Sequence, residues 1–130
     1  MFRLARATVL VSDQDRAIDF YVNTLGCTLQ IDAPFGDGLR WIEVRPPQGD
    51  AVLVLYKPHM PEMGQPGSIH NVLLETDDVR GVFETLKARG VKITLEHWQP
   101  EAGPPLFQFA DPDGNTFMIA QRYVPPAGQD

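Results

Sequence analysis

The sequence predicts an α+β fold built from two βαβββ modules, and three observations support this prediction. A β-like segment, a helix-capping pair, an amphipathic segment and a glycine follow one another near the N-terminus, and the same order returns later, with the capping residues Asp13 and Asp78 separated by 65 positions. Three short β-like segments follow each helix. A connector rich in proline and glycine, 57–67, separates the two halves.

The first module, residues 1–56, begins with a predicted strand at Leu4–Val11 that is rich in apolar and β-branched residues. Ser12 and Asp13 suit a helix N-cap, and apolar residues then recur at spacings of three and four as far as Gly26, where a C-cap is expected. Glycine- and proline-containing turns separate three further predicted strands at 28–31, 39–44 and 51–56.

The second module, residues 68–123, repeats this order. A strand is predicted at Ile69–Thr76, the pair Asp77 and Asp78 caps a helix that ends before Gly90, and strands follow at 91–95, 106–109 and 116–121. The turn 111–115, with the sequence Asp-Pro-Asp-Gly-Asn, is typical of a connection between antiparallel strands. We expect the C-terminal tail, 125–130, to be frayed.

Length and composition favour one soluble domain and exclude several classes of partner. The chain has 130 residues, 43% of them hydrophobic, which is enough for one core. The net charge of −6 without a basic run disfavours nucleic acid. No apolar run reaches the ~18 residues of a membrane span, and the N-terminus lacks the features of a signal peptide. Since Cys27 is the single cysteine, we expect a cytoplasmic protein.

Four segments taken together resemble the vicinal-oxygen-chelate superfamily, which includes glyoxalases, bleomycin-resistance proteins and extradiol dioxygenases. In order along the chain they are Val11-Ser12-Asp13 with Phe20-Tyr21 and Leu25-Gly26, then Thr76-Asp77-Asp78-Val79, then Leu86-Lys87-Ala88-Arg89-Gly90-Val91, and finally Phe109-Ala110-Asp111-Pro112-Asp113-Gly114-Asn115. The resemblance implies that the sheets of both modules curl around a shared cavity, that the cavity takes a small molecule, and that the protein is a homodimer.

The resemblance also implies where metal ligands would stand, namely on the first and last strands of each module. Arg6, Val54, Asn71 and Met118 occupy these positions. Valine offers no donor atom, a methionine thioether suits only soft metals, arginine stays cationic, and a lone asparagine carbonyl is a weak ligand. We therefore expect no divalent metal and no other cofactor.

The three histidines do not restore a metal site at these positions. His70 lies one residue before Asn71, and a shift of one residue in a strand reverses the face, so His70 faces away from the cavity unless a bulge re-aims it. His59 and His97 lie in or beside loops, where we expect exposed imidazoles. Cys27 has no identifiable catalytic partner and is expected to be a buried structural thiol.

Alternation along the strands predicts which side chains face the cavity, because the face packed on the helices must be apolar. The helix side then takes Ala7, Val9, Val11, Ile42, Val44, Leu53, Leu55, Phe107, Phe109, Phe117 and Ile119. The remaining cavity-facing set includes Thr8, Leu10, Val52, Val54, Leu73, Leu106 and Ala120. From the cavity side we predict these ligand-binding residues: Arg6, Trp41, Glu43, Tyr56, Asn71, Glu75, Gln108 and Met118.

Two of these assignments have alternatives that the sequence leaves open. Arg6 needs an anionic partner, which is either Glu43 or Glu75 or an acidic group of a ligand. Trp41 either contacts a ligand or fills the core.

Three functions are compatible with the sequence. The first is a metal-free protein that binds a small organic molecule, aromatic or anionic. The second is a metal-dependent lyase or dioxygenase of the glyoxalase or extradiol type, with an off-register metal site that recruits His70, Glu75 or Glu43. The third is a metal-free isomerase or epimerase with Glu43 or Glu75 as base, which requires a carboxylate of raised pKa.

Overall fold

The computed structural model describes residues 1–123, 125 and 127. The expected fraying of the tail 125–130 therefore concerns positions that lie mostly outside the described residues. The chain forms two compact units, the first comprising Met1–His70 with Asp111–Asn115, and the second comprising Asn71–Ala110 with the residues from Thr116 onward. The predicted α+β class and the two modules are confirmed.

The first unit is a four-stranded mixed sheet with one helix. Its elements are β1 Arg6–Leu10, α1 Gln14–Ile18, β2 Thr28–Pro34, β3 Arg40–Arg45 and β4 Val52–Tyr56, with a short 3₁₀ turn at Pro61–Met63 in the connector. The strand order is β1-β4-β3-β2, in which β1 and β4 are parallel and the other pairs antiparallel.

The helix predicted from Gln14 onward changes type halfway. A π-helical segment, Asp19–Thr24, follows α1, and the N–H of Leu25 donates to the carbonyl of Phe20 at 2.9 Å, an i to i−5 bond. Gly26 ends the segment at a φ of 86°. The predicted helix is therefore present over this stretch, and only its change of type was not foreseen, because apolar spacing reports the buried face and not the hydrogen-bond length of each turn.

The second unit repeats the topology of the first. Its elements are β5 Val72–Thr76, α2 Val79–Ala88, β6 Lys92–His97, β7 Leu106–Ala110 and β8 Thr116–Gln121, with a 3₁₀ turn at Pro100–Ala102. The strand order is β5-β8-β7-β6, with β5 and β8 parallel. β5 starts later than predicted, since Asn71 has a φ of 60° and this left-handed conformation interrupts the extended chain.

Local details of the two units match as well. Asp13 and Asp78 both cap their helices, accepting hydrogen bonds at 3.0 Å from the N–H groups of Arg16 and Gly81. Each unit has an irregular register in its second strand, between Leu29 and Ile31 and between Ile93 and Leu95. The internal repeat seen in the sequence is thus a repeat of structure.

The faces predicted to pack on the helices are buried. From β3, β4, β7 and β8, all the assigned side chains are at most 7% exposed: Ile42, Val44, Leu53, Leu55, Phe107, Phe109, Phe117 and Ile119. Alternation was less informative about the opposite face. Leu10, Val52, Val54 and Ala120 were predicted to face a cavity and are buried too. Neighbouring side chains cover these small residues, and spacing along one strand does not reveal such cover.

The turn 111–115 joins antiparallel strands as predicted, and it also belongs to the first unit. Asp111 is buried and accepts hydrogen bonds from the Tyr21 hydroxyl at 2.7 Å and from the N–H of Asn115 at 2.9 Å. The Asn115 amide donates to the carbonyl of Leu10 at 2.8 Å and accepts from the N–H of Ile69 at 3.0 Å. Burial and the neighbouring Asp111 carboxylate raise the pKa of Tyr21, so its hydroxyl remains a donor.

Candidate ligand-binding site

The predicted site residues divide equally between the two units. Arg6 of β1, Trp41 and Glu43 of β3 and Tyr56 of β4 belong to the first unit. The second unit carries the rest, which are Asn71 before β5, Glu75 of β5, Gln108 of β7 and Met118 of β8.

Glu43 is the centre of the polar contacts in the first unit. Its side chain is 2% exposed. Its Oε2 atom accepts hydrogen bonds at 2.8 Å from Arg6 Nε and from Trp41 Nε1, and Gln30 donates to Oε1 at 3.3 Å. The anionic partner of Arg6 is therefore Glu43, one of the partners considered from the sequence. A carboxylate so enclosed holds the side chains of Arg6 and Trp41 in place.

The protonation of Glu43 follows from these contacts. Burial by itself raises the pKa of the carboxyl, but the hydrogen bonds from Trp41 and Arg6, together with the charge of Arg6, outweigh burial and hold the pKa below its ordinary value. Glu43 is therefore ionised near neutral pH and has a low affinity for protons. This property counts against Glu43 as the base of an isomerase or epimerase.

Arg6 presents the unused part of its guanidinium to solvent. The side chain is 51% exposed, and only Nε is bonded to Glu43. Among the described residues its two terminal nitrogens have no hydrogen-bond acceptor. A planar fork of donors fixed at one end by a buried carboxylate suits a carboxylate or phosphate oxygen pair.

An aromatic cluster stands beside this ion pair. The ring centroids of Phe35 and Trp41 are 5.6 Å apart, those of Phe35 and Tyr56 6.0 Å, and those of Trp41 and Tyr56 6.2 Å. His59 extends the cluster, with its Nδ1 atom 3.0 Å from the Tyr56 hydroxyl. The indole N–H of Trp41 already donates a hydrogen bond to Glu43. A ligand would therefore contact this half-buried ring through its face.

Two members of the cluster were missed by the sequence prediction. Phe35 lies in the loop between β2 and β3 and is 38% exposed, and His59 lies in the connector. Strand alternation says nothing about loop side chains. The one available signal was an aromatic residue directly before the glycine-containing turn 36–38, where burial is not required.

The second unit has a polar chain at matching positions. Gln108 donates to the side-chain carbonyl of Asn71 at 2.5 Å and accepts from the Thr94 hydroxyl at 2.7 Å. Asn71 and Gln108 stand 65 positions after Arg6 and Glu43, and Thr94 stands 64 after Gln30. The charged chain of the first unit thus has a neutral counterpart. Glu75 is exposed, and Met118 is half-buried.

The predicted metal positions do not fit a divalent ion. Val54 is 1% exposed, Arg6 is paired with Glu43, and the Asn71 carbonyl is used by Gln108. Within the described part of the chain, no three histidine, cysteine, aspartate or glutamate side chains gather as a metal site. We therefore derive no chemistry through a metal.

The remaining candidates for chemistry are accounted for by their surroundings. Cys27 is buried, and burial raises the pKa of its thiol to about 11, which fits the structural thiol expected from the sequence. His59 and His70 are exposed. His97 was expected to be exposed and is half-buried, with its Nε2 atom enclosed, because it ends β6 and does not lie in a loop.

Replacing Arg6 by methionine is predicted to lower the free energy of unfolding by about 1–3 kcal/mol at neutral pH, because it leaves the Glu43 charge buried. This predicted loss in the free energy of unfolding is smaller than the ~3–5 kcal/mol lost when a fully buried ion pair is broken, since Arg6 is half exposed. The loss should shrink as the pH falls through the ordinary carboxyl range, where Glu43 of the variant takes up a proton.

Urea unfolding of Arg6→Met, Glu43→Gln and the double variant measures this effect. Once Glu43 is neutral, removing Arg6 should cost little, so the double variant should unfold like Glu43→Gln. An Arg6→Met protein as stable as the parent at pH 7 would contradict a structural role for the pair.

Comparisons with known proteins agree with the fold. The family model described as Glyoxalase/Bleomycin resistance protein/Dioxygenase superfamily matches residues 3–119. The chain is 31% identical to the protein YetH of Bacillus subtilis (strain 168) over 119 residues, which are 92% of this chain and 98% of YetH.

Two solved structures extend the comparison. TnmS3, an antibiotic binding protein from Streptomyces sp. CB03234, is 38% identical with a TM-score of 0.82, over 95% of this chain and 98% of that chain. A superfamily member from Sphaerobacter thermophilus DSM 20745 is 34% identical with a TM-score of 0.81, over 94% and 98% of the two chains. Together with the repeated βαβββ units, these matches show that the chain belongs to the Glyoxalase/Bleomycin resistance protein/Dioxygenase superfamily.

Proposed function

We propose that this protein binds a small organic ligand without the help of a metal. The observation that carries the proposal is the exposed guanidinium fork of Arg6, which the buried carboxylate of Glu43 fixes beside the aromatic cluster of Phe35, Trp41 and Tyr56. The similarity to TnmS3, an antibiotic binding protein, supports a binding role.

The chemistry of this surface favours an aromatic ligand with an acidic group. The terminal nitrogens of Arg6 offer paired donors to a carboxylate, and the faces of Trp41 and Phe35 offer contact to a ring. A carboxylate on the ligand would add a second anion near Glu43, and the single positive charge of Arg6 would then serve both.

The two enzymatic alternatives gain no comparable support. A glyoxalase or dioxygenase needs a metal, and the described residues do not assemble a ligand set for one. An isomerase needs a carboxylate base of raised pKa, whereas the pKa of Glu43 is lowered.

The purified protein is predicted to contain no stoichiometric divalent metal. Elemental analysis after dialysis against a mild chelator should find far less than one zinc, nickel, iron or manganese ion per chain. Turnover of the methylglyoxal–glutathione adduct and of catechols should stay absent when these metals are added. About one tightly held metal per chain would overturn this part of the proposal.

Arg6→Lys is predicted to weaken the binding of aromatic carboxylates by about tenfold. Lysine keeps the positive charge and its pairing with Glu43, but it lacks the planar pair of donors of the guanidinium. Tryptophan fluorescence can follow a screen of such compounds. Trp41→Phe serves as the second variant and should remove most of the ligand-dependent quenching, since the remaining Trp98 lies in the second unit beside Phe83 and Arg80. Ligand-dependent quenching that persists unchanged in both variants would show that the ligand does not bind at Arg6 and Trp41.

Assembly and location are proposals as well. We expect a homodimer, since each open sheet has two edge strands in need of cover, β1 and β2 in one and β5 and β6 in the other. Sedimentation at micromolar concentration that shows only a 14.5 kDa species would contradict this. A cytoplasmic location fits a chain whose single cysteine allows no internal disulfide. Among the described residues, no helix is long and apolar enough to cross a bilayer.

A further inference from the structure

The strands β3 and β4 part from each other at one end of the first unit. Their ladder pairs only Glu43 with Val54 and Val44 with Leu53. Beyond it, the carbonyls of Arg40 and Leu55 accept hydrogen bonds from the Gln14 side-chain nitrogen, at 3.1 and 3.0 Å. Gln14, the first residue of α1, thereby replaces the missing ladder bonds and stabilises the separation of the strands.

A cleft of about 110 Å³ opens at this separation. Its walls include Phe35 and Leu39 from the loop before β3, Tyr56 at the end of β4, and His59 in the connector that follows. Arg6, Trp41 and Glu43 do not line the cleft. The volume is comparable to the about 150 Å³ of a cavity that holds one benzene molecule. The cleft therefore admits most of one ring.

Two polar groups along the cleft have no partner among the described residues. Gln14 uses its side-chain nitrogen for the two carbonyls, and no described residue donates a hydrogen bond to its side-chain oxygen. Lys57 is exposed and forms no ion pair with a described carboxylate. The other cationic residue along the cleft, Arg40, already forms ion pairs with Asp15 at 2.9 Å and with Asp32 at 3.0 Å. The cleft thus offers one acceptor and one positive charge between aromatic walls.

We propose that this cleft is a binding subsite for a single aromatic ring that carries a hydroxyl or N–H donor and an acidic substituent. The donor pairs with the side-chain oxygen of Gln14, the acidic group with the ammonium of Lys57, and the ring packs against the exposed sides of Phe35 and Tyr56. The inference rests on the proposed function, because Phe35 and Tyr56 belong to both surfaces. It adds a specificity for hydroxylated aromatic acids, or for a larger ligand that ends in such a group.

The probe for the test is 4-hydroxybenzoate, followed by NMR titration of the full chain. Lys57→Met should weaken its binding at least about threefold, as expected for a partly exposed ion pair. Lys92→Met is the matched control, because Lys92 is an exposed lysine of the second unit, and it should leave the affinity unchanged. Among analogues, 4-methoxybenzoate lacks the donor and 4-hydroxybenzamide lacks the charge, so both should bind more weakly.

The outcomes separate this inference from the proposed function. Equal affinity of Lys57→Met and the parent for 4-hydroxybenzoate, with unchanged melting temperatures, would overturn the subsite, as would equal affinity for the methoxy analogue. The proposed function would still stand if compounds found in the Arg6 and Trp41 screen kept their affinity. A selective loss in Lys57→Met would support the cleft even if that screen found no ligand, in which case only the assignment of binding to the Arg6 and Trp41 surface would fail.

Discussion

The first unit depends on keeping the buried polar groups of Asp111 and Asn115 fully hydrogen-bonded. These two side chains form hydrogen bonds with the hydroxyl of Tyr21 in the π-helical segment after α1, with the carbonyl of Leu10 at the end of β1, and with the N–H of Ile69 before β5. An unpaired buried donor or acceptor costs about 1–3 kcal/mol, so the segments that supply the partners are fixed together. Gly67 is part of this constraint, since a Cβ at that position would collide with the carbonyl of Asp113.

The same requirement shapes the candidate site. A carboxylate as enclosed as Glu43 is tolerable only with charged or hydrogen-bonding neighbours, and it takes Arg6, Trp41 and Gln30. Those contacts orient the guanidinium and the indole that we propose to meet the ligand. In the second unit, the matching chain of Asn71, Gln108 and Thr94 is satisfied without charge. The repeat has kept the positions that bond to each other, while the residue types, the direction of the bond between the first pair and the electrostatics differ.

This arrangement underlies the binding surface that we propose. Among the positions where the superfamily resemblance would place metal ligands, Arg6 and Asn71 are engaged in hydrogen bonds, Val54 is packed in the core, and Met118 is half-buried. Among the described residues beside the aromatic cluster, partners are lacking for the outer nitrogens of Arg6 and, where β3 and β4 separate, for the oxygen of Gln14 and the ammonium of Lys57. Both sets lie next to aromatic rings, which is the combination that small-molecule sites use.

The sequence by itself determined the two βαβββ units, the helix caps at Asp13 and Asp78 and the apolar faces of the strands, because each depends on residues near one another along the chain. Only the tertiary structure decided that Arg6 pairs with Glu43, that Val54 is buried, and that Phe35 and His59 join the aromatic cluster. These facts depend on which side chains meet across strands and loops, and alternation fixes only the direction of a side chain, not its neighbours.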